Sequence, residues 1–189
     1  MFKPLLAGAA CAVLLAACSQ ERSPEPVDAA QDAAAGPVGQ MSASTVGANT
    51  VAGYVTGAAT GDMYEIQAAD IALERSQNSR LKTLAGMIKT DHTASTAALK
   101  ALLPTAAPEA PVPTALDERR QGLIDNLRSA SAADFDRVWT DQQIASHNEA
   151  LTLKRGFSDQ DSPLAAHARD TLPKVEAHLR EAEAIKAAM

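Results

Sequence analysis

The chain has 189 residues, 17 Lys and Arg against 23 Asp and Glu, and a net charge of −6. That balance, with no basic stripe, argues against a nucleic-acid partner and against electrostatic docking on anionic lipid. Both cysteines, Cys11 and Cys18, fall in the first twenty residues, so the remainder must be held by a hydrophobic core rather than by disulfides.

In chain order, the first element is a basic start around Lys3, then an apolar run from Leu5, then Leu15-Ala16-Ala17-Cys18-Ser19. The run is too short to span a bilayer and ends on small residues, the pattern of a cleaved export signal. Leu15-Ala16-Ala17-Cys18 resembles a lipobox, the motif in bacterial lipoproteins whose cysteine carries a diacylglycerol. The resemblance implies that residues 1–17 are removed, that Cys18 is lipidated, and that the membrane is a partner through acyl chains. Ser19 in place of Asp after the cysteine implies the periplasmic face of the outer membrane. Residues 19–45 are rich in Ala, Pro, Gly, Ser and Gln without apolar periodicity and are expected to be a disordered tether. The domain boundary is expected at residues 49–50.

From Val51 onward the periodicity is helical. A first long helix is expected over about 50–76, with Val55, Ala59, Ile66, Ala69 and Leu73 on its apolar stripe. Asn78 or Ser79 caps a second, roughly 79–103, carrying Leu81, Leu84, Ile88, Leu99 and Leu102, with Pro104 as its stop. After a Pro-rich connection, Thr114 to Asp117 resembles a capping box opening a short helix through Leu123, Ile124 and Leu127. Ser131 to Asp134 repeats the device before a third long helix, roughly 132–157, and Ser162-Pro163 opens the last, to about 187, with Pro173 expected to kink it. Four long helices, two short hairpins and one long crossover carrying a short extra helix predict an all-α, ferritin-like four-helix bundle over 50–189.

In such a bundle, height follows from distance to the hairpin. Glu65 lies about 12 residues before the first hairpin, and Asp91 with His92 about 14 after it; His147 lies about 12 before the second, and His178 about 16 after it. Each long helix thus brings a metal-capable side chain near the midplane. His92 continues the stripe through Leu84 and Ile88, His147 lies between Ile144 and Leu151, and His178 between Val175 and Ala182. Glu65 is on the flank of its stripe, with Asp62 more central. A carboxylate–imidazole set of this kind suits Fe, Mn or Zn; the competing reading is a group of buried polar residues bonded to one another. His167, eleven residues before His178 and about 16 Å away, cannot share its site, and reads as a core-edge or exposed residue. Trp139 and Phe135 read as core, and Glu118-Arg119-Arg120 as a solvated helix face. There is no Gly-rich phosphate loop, CxxC pair or HExxH motif.

At these positions the chain resembles the DUF4142 family of exported bacterial proteins. The resemblance is carried by Gly61-Asp62-Met63-Tyr64-Glu65-Ile66, by Leu84 through Asp91-His92, by Phe135-Asp136 leading to Gln143 and His147, and by Leu172-Pro173 through His178-Leu179. It covers roughly residues 50–186 and implies a ferritin-like bundle. Di-iron members of that fold carry Glu-x-x-His on two helices; here Lys89 stands three before His92 and Val175 three before His178. An ordinary ferroxidase is therefore not expected. The leading expectation is a lipid-anchored periplasmic binding or structural module, linked to envelope stress, with no catalytic residue assigned. The alternative is a metalloprotein in redox chemistry, with a mononuclear or degenerate di-metal site among Glu65, Asp91, His92, His147 and His178.

Overall fold

The computed structural model describes residues 25–189, and among these there is helix but no strand. The expected signal segment and the lipidated Cys18 lie outside the described residues. Six α-helices follow in order: α1 (Glu25–Ser42), α2 (Val51–Arg75), α3 (Ser79–Ala106), α4 (Glu118–Ser129), α5 (Phe135–Ser158) and α6 (Ala165–Lys186), with a π-turn at Ala43–Gly47 between the first two. No helix among the described residues is long and apolar enough to cross a membrane.

Local chemistry sets these boundaries. The Thr50 side chain accepts from Gly53 N–H at the start of α2, and Asn78 Oδ1 accepts from the Arg80 and Leu81 amides at the start of α3. Both satisfy amides that the first helical turn leaves without partners. The crossover helix is capped by Asp117, which accepts from Arg120 N–H, rather than by Thr114. The Ser131–Asp134 box does form, with Asp134 N–H donating to Ser131 Oγ at 3.2 Å, but the helix proper begins only at Phe135. Helix α3 runs two residues past Pro104, since proline forfeits one hydrogen bond while keeping a helical φ.

Helices α2, α3, α6 and α5 form the bundle, each packed on its two neighbours in that order. Trp139 Nε1 donates to Ala68 O, Ser146 to Glu65, and Tyr54 stacks on Phe157, so α2 and α5 run antiparallel. Arg80 with Glu181 and Ser95 with His167 make α3 and α6 antiparallel as well. The diagonal pair α3 and α5 is therefore parallel, which is the consequence of the long crossover and the arrangement the sequence predicts.

The core has two apolar ends. One gathers Tyr64, Leu81, Leu84, Ile88, Ile124, Leu127, Phe135 and Trp139; the other gathers Tyr54, Val55, Leu99, Leu103, Phe157 and Leu164. Between them lies a buried polar layer containing Asp62, Glu65, His92, Gln143, His147 and His178.

The expectation of a disordered tether over 19–45 is corrected from Glu25 onward. The segment is helical and lies on α4 and α5, where Asp32 accepts from the Asn126 and Gln142 amides and Gln40 accepts from the Thr152 hydroxyl. Its contact face is small and polar rather than aliphatic: Ala35 is buried, and a Cβ on Gly39 would run into the Glu149 carboxylate.

Candidate functional site

His92 on α3, His147 on α5 and His178 on α6 meet in the polar layer, each at most 5% exposed. Their ring centroids are 5.8 Å (His92–His147), 5.8 Å (His92–His178) and 5.4 Å (His147–His178) apart. One nitrogen from each ring lies within 4.8 Å of the other two. The inward stripes of three helices, read at equal height, produce this convergence.

The outer nitrogen of each ring is held by an acceptor. His92 Nδ1 is 2.8 Å from Asp62 Oδ1, His147 Nδ1 is 2.9 Å from the Gln143 carbonyl, and His178 Nε2 is 3.0 Å from Asp91 Oδ2. A carbonyl and ionised carboxylates only accept, so these three nitrogens carry the protons. The inner nitrogens, His92 Nε2, His147 Nε2 and His178 Nδ1, are then lone pairs directed into the core. His147 Nε2 and His178 Nδ1 face each other at 3.3 Å, and His92 Nε2 is buried with no hydrogen-bond partner among the described residues. Three lone pairs turned toward one another in a buried interior are unfavourable among themselves and favourable toward a cation.

The acids divide by role. Asp62 sits behind His92 and also accepts from Thr96 at 3.2 Å. Burial opposes its ionisation, but bonding and attraction to His92, with Lys154 and Ser95, hold it below the usual carboxylate range. Asp91 is outside the ring of imidazoles, pinned between His178 and Lys174 Nζ at 2.7 Å; despite partial desolvation, those two bonds keep its carboxyl lowered. Glu65 borders the cluster on the side of the outer nitrogen of His147. Ser146 Oγ donates to its Oε1 at 2.6 Å, His147 Nδ1 is 3.7 Å from that same oxygen, and Oε2 is buried with no close hydrogen-bond partner among the described residues. Burial raises the Glu65 pKa, an effect that His92 and the Ser146 bond partly offset. Burial, then the neighbouring rings, pushes His147 down to about 3 and His178 down to about 4, so both are neutral near pH 7.

Of the five candidates, His92, His147 and His178 share one centre, Glu65 borders it, and Asp91 supports it from outside. His167 is buried rather than exposed: its Nδ1 accepts from Tyr54 O–H at 2.7 Å, and its Nε2 lies 3.1 Å from Ser95 O, apart from the other three rings. Sequence reasoning passed over Asp62 as a partner, although its central place on the α2 stripe was the available signal. Gln143, one turn before His147, was also missed; its carbonyl fixes the tautomer of that ring, and its buried amide head interacts with Glu65. Arg119 and Arg120 are not a solvated face. Arg119 Nη2 grips both Glu149 oxygens at 2.9 Å, and Arg120 Nη2 reaches Oε1 at 2.5 Å.

A family model described as a domain of unknown function, DUF4142, matches residues 36–185. No curated protein and no solved structure matches the chain.

Proposed function

The chain belongs to the DUF4142 family, and for this member we propose that the bundle is a metal carrier or metalloenzyme scaffold holding one divalent ion on His92 Nε2, His147 Nε2 and His178 Nδ1. The observation that carries the reading is the tautomer set: every outer nitrogen donates to a fixed acceptor, leaving three lone pairs pointed at one another. Metal-binding imidazoles are oriented in this way, through the other ring nitrogen and a carboxylate or carbonyl. A shared proton serves less well, because it could bridge His147 and His178 but would leave His92 Nε2 unsatisfied. The low pKa values of His147 and His178 also disfavour holding it there.

Three imidazoles favour ions of borderline softness, Zn(II) and Fe(II) ahead of Mn(II), which prefers oxygen. Among the described residues Glu65 is the buried carboxylate that borders the cluster without pairing to the outer nitrogen of a ring, too little acid for two ions, so the site is mononuclear. With three protein ligands and a further position for a small molecule, such an ion supplies Lewis acidity to whatever binds there. Asp62, Gln143 and Asp91 hold the rings in place; Glu65 is placed to take or give a proton beside them.

The test is element analysis of chelator-treated protein after incubation with Zn(II), Fe(II) or Mn(II) and desalting. One Zn or Fe per chain and little Mn is the expected result; protein that stays metal-free in all three overturns the reading. The proposal also places the bundle outside the cytoplasm on a lipid anchor at Cys18, on the strength of Leu15-Ala16-Ala17-Cys18. Changing Cys18 to Ser should move the protein from the membrane to the soluble fraction of lysed cells, and unchanged membrane association would refute the anchor.

A further inference from the structure

A cavity of about 30 Å³ adjoins the imidazole cluster at His92; Asp62, Glu65, Lys154, Arg119 and Arg120 also line it. Space of that size holds two or three heavy atoms at most, since one water needs roughly 10–15 Å³ by the same measure. Its α2 wall includes Gly57 and Gly61, and a Cβ at Gly61 would meet nothing within 4 Å.

Three of the lining residues have a buried polar atom with no hydrogen-bond partner among the described residues: His92 Nε2, Glu65 Oε2 and Lys154 Nζ. The first two belong to the centre described above. Lys154 does not. It projects from α5, is 2% exposed, and makes no hydrogen bond or ion pair among the described residues. A buried amine without an acceptor costs several kcal/mol, and a metal ion nearby would repel it further unless an anion lay between them. Burial lowers its pKa while Asp62 works in the other direction, and its charge is felt at His147 and at Asp62. The lysine therefore lies within electrostatic reach of the cluster. Asp62 is already taken by His92 and Thr96, and Glu149 by the two arginines, so no lining acid is free to serve Lys154 except Glu65.

We propose that this cavity is the site for an exogenous ligand of the metal centre: a small linear or bent monoanion of two or three heavy atoms, bound to the ion at one end and accepting a hydrogen bond from Lys154 at the other. The proposal rests on the metal reading above and gives it a ligand class.

Cobalt(II), loaded in place of the native ion, supplies a visible spectrum, and azide is the probe. Azide should change the cobalt bands of the wild-type protein saturably with one site per chain. Benzoate, too large for the cavity, should leave them unchanged. Lys154→Met should retain one cobalt per chain while azide binds at least tenfold more weakly. Cobalt-loaded wild-type protein that is blind to azide, or that responds equally to benzoate, overturns the ligand site and leaves the metal reading standing. Unchanged azide affinity in K154M does the same. Failure to take up cobalt overturns both. Should K154M not fold, as judged by its helical circular dichroism, the wild-type comparison of azide with benzoate decides the matter alone.

Discussion

His147→Ala is expected to abolish the stabilisation of the protein by zinc. In the wild-type chain, free Zn(II) at a hundred times its dissociation constant should add about 2.7 kcal/mol to stability. For a domain of this size, that is a rise in Tm of about 5–11 °C. His147 has the largest share in this because its ring is edge-on to both others, at 5.8 Å from His92 and 5.4 Å from His178, and its Nε2 faces His178. Without it, two imidazoles remain on α3 and α6 with no ligand from α5. Metal-free H147A should itself melt lower, since a buried ring has been cut back to a methyl group, so the informative quantity is the zinc-induced shift rather than Tm. Asp62→Asn provides the graded comparison: all three rings remain, but His92 Nδ1 loses its charged acceptor, and zinc affinity should fall about 10–100-fold while saturating zinc still stabilises. Differential scanning calorimetry with and without zinc measures both. A zinc-dependent shift in H147A as large as in wild type would remove the imidazole cluster from consideration.

The parts of this arrangement that could be read from sequence are those governed by helical periodicity. His92, His147 and His178 each occupy the inward stripe of a long helix, and both hairpins are short, so counting residues from the hairpin placed all three at one height. Glu65 reached that height too, but on the flank of its stripe, and it borders the centre instead of joining it. Asp91 is next to His92 and so points away from the core; its contact with His178 depends on how α3 and α6 cross, which periodicity does not encode. The same applies to Arg119 and Arg120, whose partner Glu149 is some thirty residues away on another helix. Lys154 follows Leu153 in a pattern where lysine ordinarily means solvent, and only packing shows it buried. Helix α1 escaped notice because alanine, glycine and amide side chains bury little apolar area, leaving no stripe to detect.

The metal-free protein should lose stability in acid before its carboxylates titrate. His147 and His178 have native pKa values of about 3 and about 4, whereas in the unfolded chain each titrates near 6.5. Burial likewise lowers His167, which Tyr54 and Ser95 hold in the core. For groups depressed in this direction, the stability is fully present above the unfolded value, and it falls with pH because the unfolded chain takes up protons that the native one refuses. Between pH 6 and the native values, His147 and His178 together should cost about 3 kcal/mol per pH unit, against a total of roughly 5–15 kcal/mol for a typical domain. Asp62 and Asp91, whose pKa values are lowered, add their own loss only as pH drops below the ordinary carboxylate range. Urea denaturation followed by the fluorescence of Trp139, the sole tryptophan, should therefore give a stability that declines steeply from pH 6 to pH 4.5. Zinc should delay the decline, since protons and metal compete for the same inner nitrogens, and H147A should show a shallower slope because one refusing site has been removed. A metal-free protein whose stability is flat from pH 7 to 4.5 would mean that these rings are not held neutral in the buried core, and the lone pairs on which the metal site depends would not be there.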